Sequence, residues 1–359
     1  MPAQNKIQTK SEDLERCLDD LESRIDPLEE ERVLHEWADF THGRFEGDIF
    51  TPRRAAPSPP ETDWPAVSVN EALEDFDAMA LQQYAASSAT LAGAGGAMLN
   101  IRANYGTAIL PSLFGAELFV MSDESNTLPT TLPFKGTDAI RRVVDAGTPD
   151  LRAGYGGRVL EMGERFAAIG RERPLIGRHI HVYHPDVQGP MDVCELLWGS
   201  DLFYALIETP DLVYALLQVV TETYTAFLRE WERTVPFRAG GNAHWGLFHR
   251  GNIMLRDDSA MNLSPQMFDE FVRPYDQRLL DEFGGGGIHF CGRGDHYIER
   301  MSTVSGLYAI AMSQPDCNDM ETVFAHTVDK GICLVGLDRK AADEALARGR
   351  SLRGRVHCS

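Results

Sequence analysis

Two side chains with metal-binding chemistry stand two residues apart in Ile288-His289-Phe290-Cys291-Gly292, directly after the run Gly284 to Gly287. On a β-strand successive side chains alternate faces, so an imidazole and a thiol at this spacing project to the same side, where one cation could take both. A further cysteine would complete a nitrogen and sulfur donor set suited to zinc. Such a site activates thiols and supports group transfer. The plain alternative is a hydrogen-bonded core histidine beside a packing cysteine, because His-x-Cys is short and common.

The elements that must position this pair show in the C-terminal third. Ser264 followed by Pro265, Met267, Phe268, Phe271 and Leu279 predicts a capped amphipathic helix whose end is marked by Gly284. Short apolar strands are expected at Gly287 to Phe290, Leu307 to Ala311, Ile332 to Val335 and Arg355 to Cys358. Helices are expected between them, around Asp295 to Met301, Asp319 to Val328 and Ala341 to Arg348. This spacing is that of βα units, so the strands should be parallel and the sheet open or closed into a barrel. A dinucleotide fold fits poorly, since the glycines precede their strand. Upstream, Leu14, Cys17, Leu18, Leu21, Ile25 and Leu28 give residues 9–42 a helical period, and five prolines between 51 and 65 mark an exposed connection. The expected division is a helical N-terminal extension with its proline-rich connection over 1–66 and one α/β domain over 67–359.

Composition narrows the class. The chain has 359 residues, is 43% hydrophobic and 25% charged, and carries a formal charge of -20, which would repel polyanions over most of its surface. Nucleic acid and anionic membrane are therefore poor partners, and small molecules or proteins better ones. Six cysteines without a dense framework fit reduced thiols. The start Met1-Pro2-Ala3-Gln4-Asn5-Lys6 leads into charged sequence with no apolar h-region, and no 18-residue apolar run follows, so a cytoplasmic protein is expected.

The segment Asp257 to Met301, DDSAMNLSPQMFDEFVRPYDQRLLDEFGGGGIHFCGRGDHYIERM, resembles the uroporphyrinogen decarboxylase superfamily, with its helix, strand and His-x-Cys-Gly passage. Gln188-Gly189-Pro190-Met191-Asp192 and the helix expected at Pro210 to Trp231 are similar to the superfamily's Gly-Pro segment and the long helix after it. The resemblance covers about residues 95 to 358 and implies a single (β/α)8 TIM barrel whose site lies at the C-terminal ends of the strands. It offers two chemistries: decarboxylation of uroporphyrinogen or another acidic substrate, and zinc-dependent methyl transfer between a corrinoid protein or small donor and a thiol or similar acceptor. A decarboxylase needs arginines to hold several carboxylates. Its Arg-x-x-x-Arg pattern has no match here: Arg53-Arg54 lies in the proline-rich connection and Arg102 precedes Asn104-Tyr105-Gly106. The methyltransferase branch is the better fit. It implies one zinc ion on His289, Cys291 and a distant cysteine, with a corrinoid-carrying protein as partner.

For that third ligand Cys358 is preferred over Cys333, because it ends its strand whereas Cys333 sits near the start of its own. The superfamily usually continues with glycines after this cysteine, whereas here Ser359 follows. Asp257 and His244 are the candidate catalytic groups, with Asp258 and His249 beside them. Against this stand ordinary hydrogen-bonded histidines and turn-capping aspartates. Arg293, Asp295, Asn104 and Tyr105 are candidate substrate contacts, although Asp295 could simply cap the next helix. His179, His181 and His184 share a side by period two but lack a carboxylate or thiol, and read as structural or substrate-binding. Cys17 and Cys194 read as packing residues, and Cys317 as a spare donor near the mouth. A metal-free decarboxylase and a non-catalytic corrinoid-partner binding protein remain the alternatives. The acidic N-terminal region could cover the barrel, form a homodimer contact or meet a partner.

Overall fold

Parallel pairing appears where the alternation predicts it. The computed structural model describes residues 2–358; Met1 and Ser359, the chain ends that entered the reading above, lie outside the described residues. Six strands form one parallel sheet in the order Ile49–Phe50, Val356–His357, Cys333–Leu334, Leu307–Met312, Gly286–Phe290, Ile253–Arg256. A second parallel pair joins Asn100–Ile101 to His181–Val182. The protein is thus an α/β fold with sixteen α-helices among the described residues, and the strand ladders do not run continuously around a closed ring. No single helix among them is long and apolar enough to cross a membrane.

Two expectations need correction. The division at 66/67 cuts the sheet, because Ile49–Phe50 pairs with Val356–His357 and so belongs to the same body as the C-terminal strands. The helix expected from Ser264 to Gly284 is two helices, Pro265–Phe271 and Arg273–Phe283. Pro274 lacks an amide hydrogen and its ring crowds the preceding turn, so the helix breaks at Val272. Both predicted ends hold: Ser264 accepts from the Met267 amide, and Gly284 takes the left-handed conformation at φ +76° that favours glycine.

Side chains and loop amides cross the gaps between the sheets. The Met254 amide donates to His184 Nε2 at 3.0 Å, and the Gly189 amide to the Arg256 carbonyl at 2.9 Å. On the other seam the Arg54 guanidinium donates to the carbonyls of Gly95 and Ala97, while its buried ion pair with Glu30 ties it to the helix Pro27–Thr41. These groups supply partners that a missing ladder would leave unsatisfied.

Burial divides into two layers. Outside the sheets, residues such as Leu255, Ile288, Phe290 and Ile310 pack against helices, among them Pro210–Thr234, whose buried stripe runs through Val213, Leu216, Val220, Phe227 and Trp231 at helical spacing. A separate inner cluster holds Trp37, Phe40, Phe50, Phe248, Ala309, Ala311 and Cys333. Trp37 and Phe40 come from Pro27–Thr41, which covers the N-terminal ends of the strands: Trp37 Nε1 donates to the Gly96 carbonyl at 2.8 Å, and Cys333 Sγ lies against the Phe40 and Thr41 carbonyls. The opposite, C-terminal end is polar.

Candidate metal and active site

Strand register assembles the site. Arg256 is the direct partner of His289 across the Ile253–Arg256 and Gly286–Phe290 strands. Alternation then places Arg256 on the same face as His289 and sends Leu255, Ile288 and Phe290 to the other, while Asp258, which opens the 3-10 turn Asp258–Asn262, and Cys291 follow just after the strand ends. Asp258, His289 and Cys291 each offer one ligand atom to a group whose atoms lie within 4.8 Å of one another. Cys291 Sγ is 3.4 Å from His289 Nε2, which is 3.7 Å from Asp258 Oδ1. The Cys291 amide donates to Asp258 Oδ1 at 2.7 Å, and the amides of Asp258 and Ser259 donate to the carboxyl group of Asp192 at 3.0 and 2.8 Å, so the backbone fixes the turn that presents the carboxylate.

Electrostatics leave the donors in defined states. Burial holds the His289 imidazole below its ordinary pKa, with Asp258 opposing, so the ring is neutral near pH 7. Its Nε2 lies toward Asp258 and Cys291. Burial also pushes the Cys291 thiol up, opposed by the Ser313 hydroxyl 3.5 Å away. Behind the sheet, Asp257 faces Asp276, with Asp192 nearby, all buried. Burial raises Asp257 well above the carboxylate range and Asp276 to about 7. As two carboxylates neither would have a donor; with one proton, each satisfies the other.

Residues 187–337 match the model of the uroporphyrinogen decarboxylase (URO-D) family. The chain resembles the uroporphyrinogen decarboxylase superfamily. Among solved structures, a methyltransferase from Methanosarcina mazei superposes with a TM-score of 0.64 at 15% identity, over 91% of this chain and 93% of that one. At that identity the likeness is one of fold. No curated protein matches the chain significantly.

Within this URO-D-like fold the expected residues part company. His289 and Cys291 come together as expected, but Cys358 does not join them. Strand alternation turns His357 inward onto Trp37 and Phe50 and Cys358 outward, where Asp338, Arg339 and Asp343 surround it and burial raises its thiol to about 11. Cys333 sits at the N-terminal end, as its place in the strand implied. Asp257 is the outward neighbour of the residue that reaches the cluster. His244 lies in the hairpin Asn242–His244 with Leu247–His249, its Nδ1 2.9 Å from His249 Nε2, and His249 Nδ1 donates to the Arg250 carbonyl. Burial keeps both rings neutral, and His244 Nε2 has no partner among the described residues. Arg293 and Asp295 pair at 2.7 Å on the rim, where Asp295 also accepts the Asp319 amide. Tyr105 is buried against Tyr155 and Arg158 and, like Asn104, stands outside the three-residue group. His181 and His179 are buried in structural surroundings and Cys317 is exposed.

Sequence reading underrated Asp258 and missed Trp245 and Asp186. The signal for Asp258 was available: it stands two residues after Arg256, as Cys291 does after His289. Trp245 gave none, because its position depends on the hairpin folding inward, where its ring lies 5.2 Å from that of His289.

Proposed function

We propose that this protein is a zinc-dependent methyltransferase of the URO-D superfamily, with Asp258, His289 and Cys291 as the metal ligands. The observation that carries this reading is the convergence of three unlike donors on one inner face. The donor set fits the ion. Atoms bound 2.0–2.3 Å from a tetrahedral zinc lie about 3.3–3.6 Å from each other, and the two edges here are 3.4 and 3.7 Å. The mix of nitrogen, sulfur and carboxylate suits zinc better than calcium or magnesium. When bound, zinc would lower the pKa of an acceptor thiol in its open position, so that a nucleophilic thiolate exists near neutral pH.

The chain's own residues do the rest. Neutral His289 presents its Nε2 toward the cluster, with the Trp245 ring packed 5.2 Å from its own. Asp258, whose side chain is 42% exposed, leaves the cluster open to an incoming substrate. Trp245 and the strand ends wall the other side. The fold we infer is a (β/α)8 barrel in which the six-stranded and two-stranded sheets are spliced by His184, Arg256 and Arg54. The methyl donor in this reading is a corrinoid-bound methyl group on a partner protein in the cytoplasm.

Elemental analysis of purified protein tests the assignment. About one zinc per chain is expected in the wild type, lost in Cys291→Ser and retained in Cys358→Ser. A wild type that takes up no zinc on reconstitution would contradict the reading and favour a metal-free decarboxylase.

A further inference from the structure

We infer that Arg102 and Arg256, braced by Asp186, form an oxyanion clamp on the same inner face, which takes a carboxylate or phosphoryl group of the substrate handled beside His289. The chemistry assigned to that substrate rests on the metal-site reading; the binding itself does not. Asp186 lies between the two guanidinium groups, 3.1 Å from Arg102 Nη1 and 2.6 Å from Arg256 Nε. The side chains of Arg102 and Asp186 are 12% exposed and that of Arg256 is 3% exposed. Gln188 also donates to Asp186 and Arg256 Nη1 donates to the Met254 carbonyl at 3.1 Å, so the brace is held from several sides.

Two observations point to an anionic ligand. Two guanidinium groups largely out of water share the one carboxylate of Asp186. The neighbouring His184, His244 and His249 are neutral and add no negative charge, and Asp258 Oδ1 accepts from the Cys291 amide. The donors are also incompletely used. Arg256 Nη2 is buried with no partner among the described residues, and the one bond from the Arg102 guanidinium there goes to Asp186. A buried donor of this kind is costly unless something accepts from it.

The surroundings hold the clamp toward the reaction centre. Arg256 Cζ lies 4.6 Å from the Trp245 ring, a cation–π contact that orients the guanidinium plane, and the far side of that region meets His289. Trp245 and Gly246 at the hairpin tip both have positive φ, 53° and 79°, a conformation for which asparagine and glycine are the ordinary choices. Gln188, the donor to Asp186, is also strained at φ 56°. Backbone strain in residues that touch Arg256 and its brace Asp186 is what a positioned binding element shows. A purely structural brace between the strand ends would need Arg256 and Asp186 alone; Arg102 adds a second guanidinium to the same carboxylate.

Isothermal titration of metal-depleted and zinc-loaded protein with succinate and with inorganic phosphate tests the clamp. Saturable binding of one anion per chain to the metal-depleted wild type is expected, at least tenfold weaker in Arg102→Gln and partly restored in Arg102→Lys, with melting temperature and zinc content unchanged. Tighter succinate binding assigns a carboxylate and tighter phosphate binding a phosphoryl group. Absence of saturable binding in both forms, or equal binding by Arg102→Gln, overturns the inference. Zinc measured on the same samples separates the two readings: anion binding that depends on Arg102 without zinc uptake sinks the metal site alone, and one zinc per chain without anion binding sinks the clamp alone.

Discussion

Asp257 and Asp258 are adjacent in the chain yet stand in opposite regions of the molecule: Asp258 meets His289 and Cys291 on the inner face, while Asp257 is sealed behind the sheet against Asp276. The strand ends at Arg256 and the turn Asp258–Asn262 begins just beyond it, so the same residue type joins the donor cluster on one side and shares a proton on the other. The comparison teaches that position at the strand end, more than residue identity, determines which carboxylate can do chemistry.

Breaking the inner face should have the largest effect. Cys291→Ser and Asp258→Ala are expected to lower zinc affinity by about 10–100-fold or more, the scale on which even supporting residues of metal sites act, whereas Asp257→Asn should keep one zinc per chain; competition with a chelating dye would measure all three. Zinc loss in Asp257→Asn with retention in Asp258→Ala would invert the comparison.

Trp37→Ala probes the closed end of the same interior. Its indole is fully buried, 5.1 Å from the Phe50 ring and 4.5 Å from that of His357. Removing it should cost about 3–5 kcal/mol of stability in denaturant unfolding, with zinc still bound by the folded fraction. A loss of metal in protein that remains folded would show that the two ends are not separable.

The outer carboxyl pair gives a smaller effect with a definite sign. Asp276 holds its proton more tightly in the folded chain, with its pKa raised to about 7 chiefly by burial, than in the unfolded chain at about 3.9. Wild-type stability from this group is therefore greatest below the unfolded value and is lost as pH rises through about 7. Asp276→Asn, whose amide can donate to Asp257, should melt higher than the wild type at pH 8, by ~2 °C for each kcal/mol relieved, and the difference should shrink toward pH 4. A difference that grows on acidification would show that the pair does not share a proton.

How far the sequence reveals this arrangement depends on the range of the contacts. The strand ends near Phe290, Met312 and His357 and the cap at Ser264 follow from local alternation and capping chemistry, so they were legible. The His289 and Cys291 pair was legible for the same reason. Cys358 was misplaced because its facing follows from the register with Ile49–Phe50, a strand hidden just before the proline-rich connection. Asp257 was preferred over Asp258 because both precede a capped helix, and only pairing with His289 separates them. Trp245 and Asp186 reach the centre through an inward hairpin and a seam between sheets, neither of which leaves a local pattern.

Cys358→Ser should have the smallest effect, since the thiol is a buried packing group: one zinc retained and a melting temperature within a few degrees of the wild type, ~1 kcal/mol or less.

X-ray absorption at the zinc edge of the reconstituted protein tests the central claim most directly. One sulfur at about 2.3 Å with nitrogen and oxygen donors at about 2.0–2.2 Å is the expected shell, and Cys291→Ser should hold no zinc with this shell. Two sulfurs, or no bound zinc, would contradict an inner face built from Asp258, His289 and Cys291.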